Sequence, residues 1–293
     1  MEKKYYITTI TLLILNLSII FITNLQLNNK MLFLQQYFNC EEINYIINED
    51  INTEDIKPYL KYKKFNIFKY EQYQAAREKY DFSYIESINF INNPHYYHFY
   101  QDPQKALFTD KPYILVNKCY YLSKNYIPDN LINVTEYDID YIVREGEDIY
   151  LKKEVLGNYV LMYNAAKKED IALMIFSGYR SYQKQIKLYY FTYNQDDTIS
   201  ARPGFSEHQT GYAIDISCSE VGLTELFEHS QSYKWLIKNC HKYGFILRFP
   251  RGKEKMTGYS FEPWHFRYVG KIAEKIHSDD ITLEEYIFSN LEI

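Results

Sequence analysis

The sequence predicts an α+β fold, a mostly antiparallel sheet flanked by helices. Three observations lead there. Candidate strands and helices mix without the regular alternation of a parallel α/β protein. The candidate strands are short apolar runs bounded by Gly, Pro or Asn. The helical stretches carry end signals: Gly244 follows one, and Thr282-Leu-Glu-Glu285 has the form of a capping box. At 293 residues, 46% of them apolar, the chain can form one good-sized domain plus an extra piece. A net charge of −5 with no basic block argues against nucleic acid as the main partner. The 33 tyrosines, with abundant Ile, Asn and Lys, read as biased codon usage rather than chemistry.

Taken in order, the chain opens with Lys3 and Lys4 before a run, Tyr5 to Thr23, that holds no charge. As a helix this run is about 28 Å long, close to the roughly 30 Å of a bilayer's hydrocarbon core. It predicts a transmembrane anchor over 1–30, with the lysines on the cytoplasmic side and the rest of the chain outside. A cleaved signal peptide is the competing reading, although Asn24 to Lys30 shows no small-x-small cleavage site.

Residues 31–110 are polar, aromatic and helix-leaning, punctuated by Asp55-Ile-Lys-Pro58 and Asn92-Asn-Pro94. They predict a small extracytoplasmic helical spacer or module. His95 and His98 there read as surface or packing histidines, in a loop or helix start after Pro94. The cysteines Cys40, Cys119, Cys218 and Cys240 fit no zinc spacing and read as free, partly buried thiols.

The main domain is expected over 111–293. Ile114 to Val116 reads as a strand and Asn125 to Asn130 as a turn. Val155, Tyr159, Met162 and Ala166 share one side of a helix over 155–168. A strand follows over 171–176, then a helix over 181–193 and a loop over 194–209. Tyr212 to Ile216, bounded by Gly211, reads as a buried strand. A helix over 233–243 is capped by Gly244. Strands over 245–249 and 264–269 precede the last helix.

Two stretches carry candidate chemistry. Ser206-Glu-His208-Gln-Thr-Gly211-Tyr-Ala-Ile-Asp215 supplies a histidine and an aspartate, and Glu262-Pro-Trp264-His265 a second histidine and a glutamate. A hydrolytic zinc site needs three protein ligands, an open position for water and a carboxylate to take its proton. A chain leaving a loop at His208 and entering a strand by Asp215 can turn both side chains to one point, with Gly211 allowing a tight approach or a positive φ. Pro263 argues for a bend that aims Glu262 without making it a ligand. Upstream, Ser177-Gly-Tyr-Arg180-Ser ends an apolar strand and opens a helix, where a fixed guanidinium can stabilise a developing oxyanion.

These blocks, with Tyr243-Gly-Phe-Ile-Leu-Arg248-Phe-Pro, closely resemble in order and composition the VanY-like zinc D-alanyl-D-alanine carboxypeptidases. The resemblance spans about residues 111 to 278 and implies a Hedgehog/D,D-peptidase-like fold with one Zn²⁺ per chain. It matches His208, Asp215 and His265 to the zinc ligands and Glu262 to the catalytic base. Arg180 matches the residue that polarises the scissile carbonyl. Ser206 and Gln185 match substrate-contacting positions, and Trp264 is expected to wall the cleft or to pack beside the ligand strand. Phe205, Phe249 and Phe266 differ from common choices and are expected to alter packing alone. The implied reaction removes the terminal D-alanine from peptidoglycan stem peptides, outside the cell membrane. An L,D-carboxypeptidase, or a wall-binding module without activity, are the alternatives.

Overall fold

A computed structural model describes residues 25–143 and 147–291. The run Tyr5–Thr23 lies outside the described residues, and among the described residues no helix is long and apolar enough to cross a membrane. The chain divides into two units, Met1–Ile91 and Asn92–Ile293.

The first unit is helical. Residues 25–37 and Cys40–Asn48 are followed by Tyr70–Tyr80 and Tyr84–Asn92. Asn39 opens the second of these helices with a reciprocal capping box to Glu42. Leu34, Ile46, Ile56, Tyr59, Ile67, Tyr73 and Ile88 close a core of their own. The Arg77 guanidinium sits 3.7 Å over the Tyr84 ring.

The division falls at Ile91/Asn92, earlier than the domain start expected near Lys111. Residues 92–110 belong with the second unit because β1 (Gln104–Lys105) pairs with β2 (Tyr120–Tyr121), and Tyr97 and Phe99 pack on the cluster that contains Val269 and Ile276. Of the two histidines expected beside Pro94, His95 falls in a short 3₁₀ turn, Pro94–Tyr97, and His98 follows it.

The second unit is built on a four-stranded sheet of β5 (Met174–Ser177), β6 (Ala213–Ser217), β7 (Phe245–Leu247) and β8 (His265–Tyr268). Its strand order is β5-β6-β8-β7 and every pairing is antiparallel. A small ribbon of β3 (Leu131–Asn133) and β4 (Tyr150–Lys152) stands beside it and was not legible in the sequence. Helix Lys153–Lys167 buries Val155, Tyr159, Met162 and Ala166, the stripe its spacing predicts. Helix Gln231–Asn239 packs Trp235 and Leu236 into the same core.

Two expectations need correction. Ile114 to Val116 is fully buried, yet only Leu115 forms a bridge, to Leu107. Burial alone produces an apolar run, and periodicity cannot separate a strand from an extended buried connection. The helix over 181–193 is α-helical over Tyr182–Lys187 and then widens into a π turn, Leu188–Thr192. The four cysteines are free, with Cys119, Cys218 and Cys240 buried.

Gly244 ends its helical stretch at φ +82, and a Cβ there would lie 2.7 Å from Cε2 of Tyr268. A left-handed backbone costs an L-residue about 1–2 kcal/mol before that clash is counted. Gly244→Ala should therefore lower the unfolding free energy by about 1–3 kcal/mol. An unchanged urea midpoint would refute this account of the cap.

Candidate active site

Register places the first two site residues. β6 and β8 pair so that Asp215 stands directly opposite His265. Directly opposed side chains in an antiparallel pair leave the same face about 5 Å apart. His208 arrives from the 3₁₀ turn Glu207–Thr210, which Gly211 terminates at φ +73. A Cβ on Gly211 would lie within 3.0–3.3 Å of Lys152, Leu131 and Pro128, so both reasons for glycine anticipated at this position operate. A reciprocal clip then fixes the turn to the end of β5. His208 Nδ1 lies 2.7 Å from the Gly178 carbonyl, and the Arg180 N–H donates to the His208 carbonyl at 3.0 Å. Gly178 itself is pressed against the Tyr150 carbonyl, only 2.5 Å from where a Cβ would be.

The result is a buried trio, His208, Asp215 and His265, whose ligand atoms all lie within 4.8 Å of one another. His208 Nε2 is 3.4 Å from Asp215 Oδ2, and His265 Nδ1 is 3.2 Å from Asp215 Oδ1. Asp215 Oδ1 is buried and makes no hydrogen bond. A buried carboxylate set between two imidazoles, with one oxygen lacking a hydrogen-bond partner among the described residues, is a costly arrangement unless a cation joins it. Two imidazoles and a carboxylate are the donor set of a catalytic zinc, leaving one coordination position open. The residues fit one Zn²⁺.

Burial works against the Asp215 charge, but His208 and His265 hold its carboxyl far below the usual range. Burial, reinforced by Arg180, pushes His208 down, with Asp215 opposing. His265 goes the other way. Burial opposes its charge, yet Asp215 and Glu207 outweigh burial and raise it to about 9.

Glu262 reaches the same point from a turn. The His265 N–H donates to the Glu262 carbonyl at 3.2 Å, closing a bend around Pro263 and Trp264. Glu262 Oε2 then lies 3.6 Å from His265 Nδ1, with 18% of its side chain exposed. Burial, countered in part by His265, pushes its pKa up to about 7.

Arg180 is half-buried, and its Nη1 donates to Gln185 Oε1 at 3.0 Å. The Gln185 amide in turn donates to Ser200 Oγ and to the Ala201 carbonyl, at 3.1 and 2.6 Å. Gln185 is thus a buried strut between Arg180 and the loop that follows. Ser206 and Trp264 line the same cleft, of about 380 Å³, as do the trio, Glu262, Arg180 and Gln185. Phe205 and Phe249 line it as well, and Phe249 stacks on His265 at 4.8 Å; Phe266 is in the core.

Sequence reasoning passed over Glu207. It is buried, its Oε2 is 3.6 Å from His265 Nε2, and it pairs with the fully buried Arg248 and Arg267. The signal was available: Arg248 and Arg267 interrupt apolar strand runs, and an arginine there demands a buried carboxylate.

Metal loading should be pH-dependent in a definite direction. Below about 9, His265 carries a proton that an incoming ion must expel. Apparent zinc affinity should climb roughly tenfold per pH unit from about pH 7 toward 9, with release of about one proton per ion near pH 7. Calorimetry in buffers of different ionisation enthalpy reads both; affinity flat over this window would refute the assignment of the site's basic group.

Comparison with known proteins agrees with this geometry. The family model VanY, D-alanyl-D-alanine carboxypeptidase, matches residues 148–271, which contain the trio, Glu262 and Arg180. The chain is 43% identical over 201 residues to YodJ of Bacillus subtilis (strain 168), covering 64% of this chain and 68% of that protein. It is 35% identical over 183 residues to the bifunctional D-Ala-D-Ala dipeptidase and D-Ala-D-Ala carboxypeptidase VanXYC of Enterococcus gallinarum, covering 59% of this chain and 91% of that protein. The structure of the LdcB LD-carboxypeptidase superposes with a TM-score of 0.55 at 40% identity, over 62% of this chain and 88% of that one. With relatives this similar over most of their own length, and with the buried trio in place, the chain belongs to the VanY family of D-alanyl-D-alanine carboxypeptidases.

Proposed function

We propose that the protein is a zinc-dependent D-alanyl-D-alanine carboxypeptidase that removes the terminal D-alanine of peptidoglycan stem peptides. The observation that carries this reading is a buried His-Asp-His trio with a carboxylate, Glu262, beside it in an open cleft. A Zn²⁺ held by the trio supplies Lewis acidity, polarising the scissile carbonyl and acidifying water.

The chain's own residues do the rest. Glu262, with a pKa near the working range, accepts the proton of the attacking water as its oxygen bonds to the carbonyl carbon. The carbonyl π electrons move onto oxygen, and the Arg180 guanidinium, fixed by Gln185, faces that charge. As the C–N bond breaks, Glu262 returns the proton to the leaving amine. The products are a shortened stem peptide with a free carboxylate and D-alanine. Ser206 and Trp264, on the cleft wall, hold the peptide.

The uncharged run Tyr5–Thr23 supports a membrane anchor, with the catalytic unit outside the membrane, where stem peptides lie. Residues 31–91 then act as a helical spacer. A second reading, an L,D-carboxypeptidase acting on tetrapeptide stems, is favoured by the 40% identity to the LdcB LD-carboxypeptidase.

Amino-acid release from synthetic stem peptides separates the two. D-Alanine released from a pentapeptide ending in D-Ala-D-Ala, and abolished by a chelator, establishes the first reading; release from the matching tetrapeptide alone establishes the second. Arg180→Ala should keep zinc and lose about 10²–10³ in kcat, the usual cost of one oxyanion donor. Glu262→Ala should bind zinc normally and be nearly inert. Substantial turnover by Glu262→Ala would end the general-base assignment.

A further inference from the structure

His208 and His265 turn different ring nitrogens toward the ion. His208 presents Nε2 to Asp215 and gives Nδ1 to the Gly178 carbonyl. His265 presents Nδ1 to Asp215 and Glu262, so its N–H must reside on Nε2 whenever Nδ1 is a ligand. Among the described residues, the group facing that nitrogen is Glu207 Oε2, at 3.6 Å, and neither atom makes a hydrogen bond elsewhere.

The other oxygen of Glu207 is fully committed. Oε1 accepts from Arg248 Nε at 2.8 Å and lies 2.9 Å from Arg267 Nη1. Arg267 is itself tethered, with its Nη2 donating to the Pro112 and Ile114 carbonyls at 2.8 and 2.9 Å. Arg248 extends the chain of contacts outward. Its Nη1 and Nη2 grip Glu284 as a two-pronged fork, 2.8 Å at the Nη1 contact, and Glu284 also accepts from Asn117 Nδ2 at 3.0 Å. Both arginines and Glu284 are 0% exposed.

A buried, mutually neutralising set of two arginines and two glutamates adds little or nothing to stability compared with apolar residues of the same volume. What such a set does supply is orientation. A carboxylate aimed at the outer nitrogen of a ligating histidine fixes its tautomer and ring plane and makes the ring a stronger ligand. Here the aim of Glu207 is set by Arg248, and Arg248 by Glu284 on helix Leu283–Asn290, beyond residue 271 where the family match ends.

We propose that Glu207 is a positioning residue for His265, and that helix 283–290 acts on the metal centre through the Glu284–Arg248–Glu207 chain. The proposal rests on the zinc reading of the trio. The two are separable because the test uses metal binding alone.

The experiment compares the full-length wild type with Glu207→Gln, Glu207→Asp, Glu284→Gln and the Glu207→Gln/Glu284→Gln double variant. Co²⁺ is the spectroscopic probe, and Zn²⁺ affinity is read by competition with a chromophoric chelator. Glu207→Gln should weaken zinc by about 10–100-fold and alter the Co²⁺ visible spectrum. Glu207→Asp, which restores the charge, should recover part of the loss. Glu284→Gln should weaken zinc in the same direction by a smaller factor, and the double variant should be no worse than Glu207→Gln. A melting temperature that falls while affinity and the Co²⁺ spectrum stay those of the wild type would reduce the network to scaffolding and overturn the proposal. If Glu207→Gln does not fold, Glu284→Gln decides: unaltered metal properties overturn the coupling. A wild type that takes up neither ion would remove the zinc reading and this inference with it.

Discussion

The pairing register of β6 with β8 is the constraint on which the site depends. It sets Asp215 opposite His265. A slip of one residue would send one of them to the other face of the sheet and leave a charged group in the core. Register in this sheet is held from both sides. Ile214 and Ile216, which alternate with Asp215, are fully buried, and Phe266 packs with them in the main core. The Ile216 N–H also donates to the Trp264 carbonyl at 2.9 Å, which ties the strand to the Glu262 turn. The same hydrophobic packing that stabilises the sheet therefore positions the site residues.

Electrostatics sorts the buried groups into distinct states. Burial penalises every charge here, so each group's state depends on its neighbours. Asp215 is kept anionic by the two imidazoles, while Glu262, facing Asp215 and Glu207 as well as His265, sits near neutrality. Two carboxylates on one site with such different proton affinities are suited to different work, one as a permanent ligand and one as a proton carrier. Arg180 is held by a neutral amide, Gln185, rather than by a carboxylate. Among the described residues no carboxylate forms a salt bridge with it, and its positive charge remains available to a reacting oxygen.

Much of this was legible in the sequence, and the limits have physical causes. Helix Lys153–Lys167, strand β6, the Gly244 cap and the Thr282 capping box all rest on local rules, periodicity or capping, which one segment satisfies alone. The trio and Glu262 were visible because their residue types suit a metal site and, decisively, because the blocks that carry them resemble the VanY-like peptidases. The β3–β4 ribbon was not visible, since each strand is three residues long and too short for a period to register. The membership of residues 92–110 was hidden because it rests on long-range packing, such as the bond from Tyr97 to Met256. Glu207 was overlooked because its partners lie far along the chain: Arg248 and Arg267 within apolar runs hinted at a buried carboxylate, but the tertiary fold identifies which one.

The fork between Arg248 and Glu284 also bears on timing. Without Glu284, Arg248 keeps only Glu207 as a carboxylate partner, and breaking one partner out of such a buried set costs about 3–5 kcal/mol. Until residues 283–290 have emerged and docked, the sheet that carries Asp215 and His265 must either leave Arg248 in water or bear that cost. The buried pairing of Arg248, and with it the core around β7 and β8, is therefore completed only once residues 283–290 have docked.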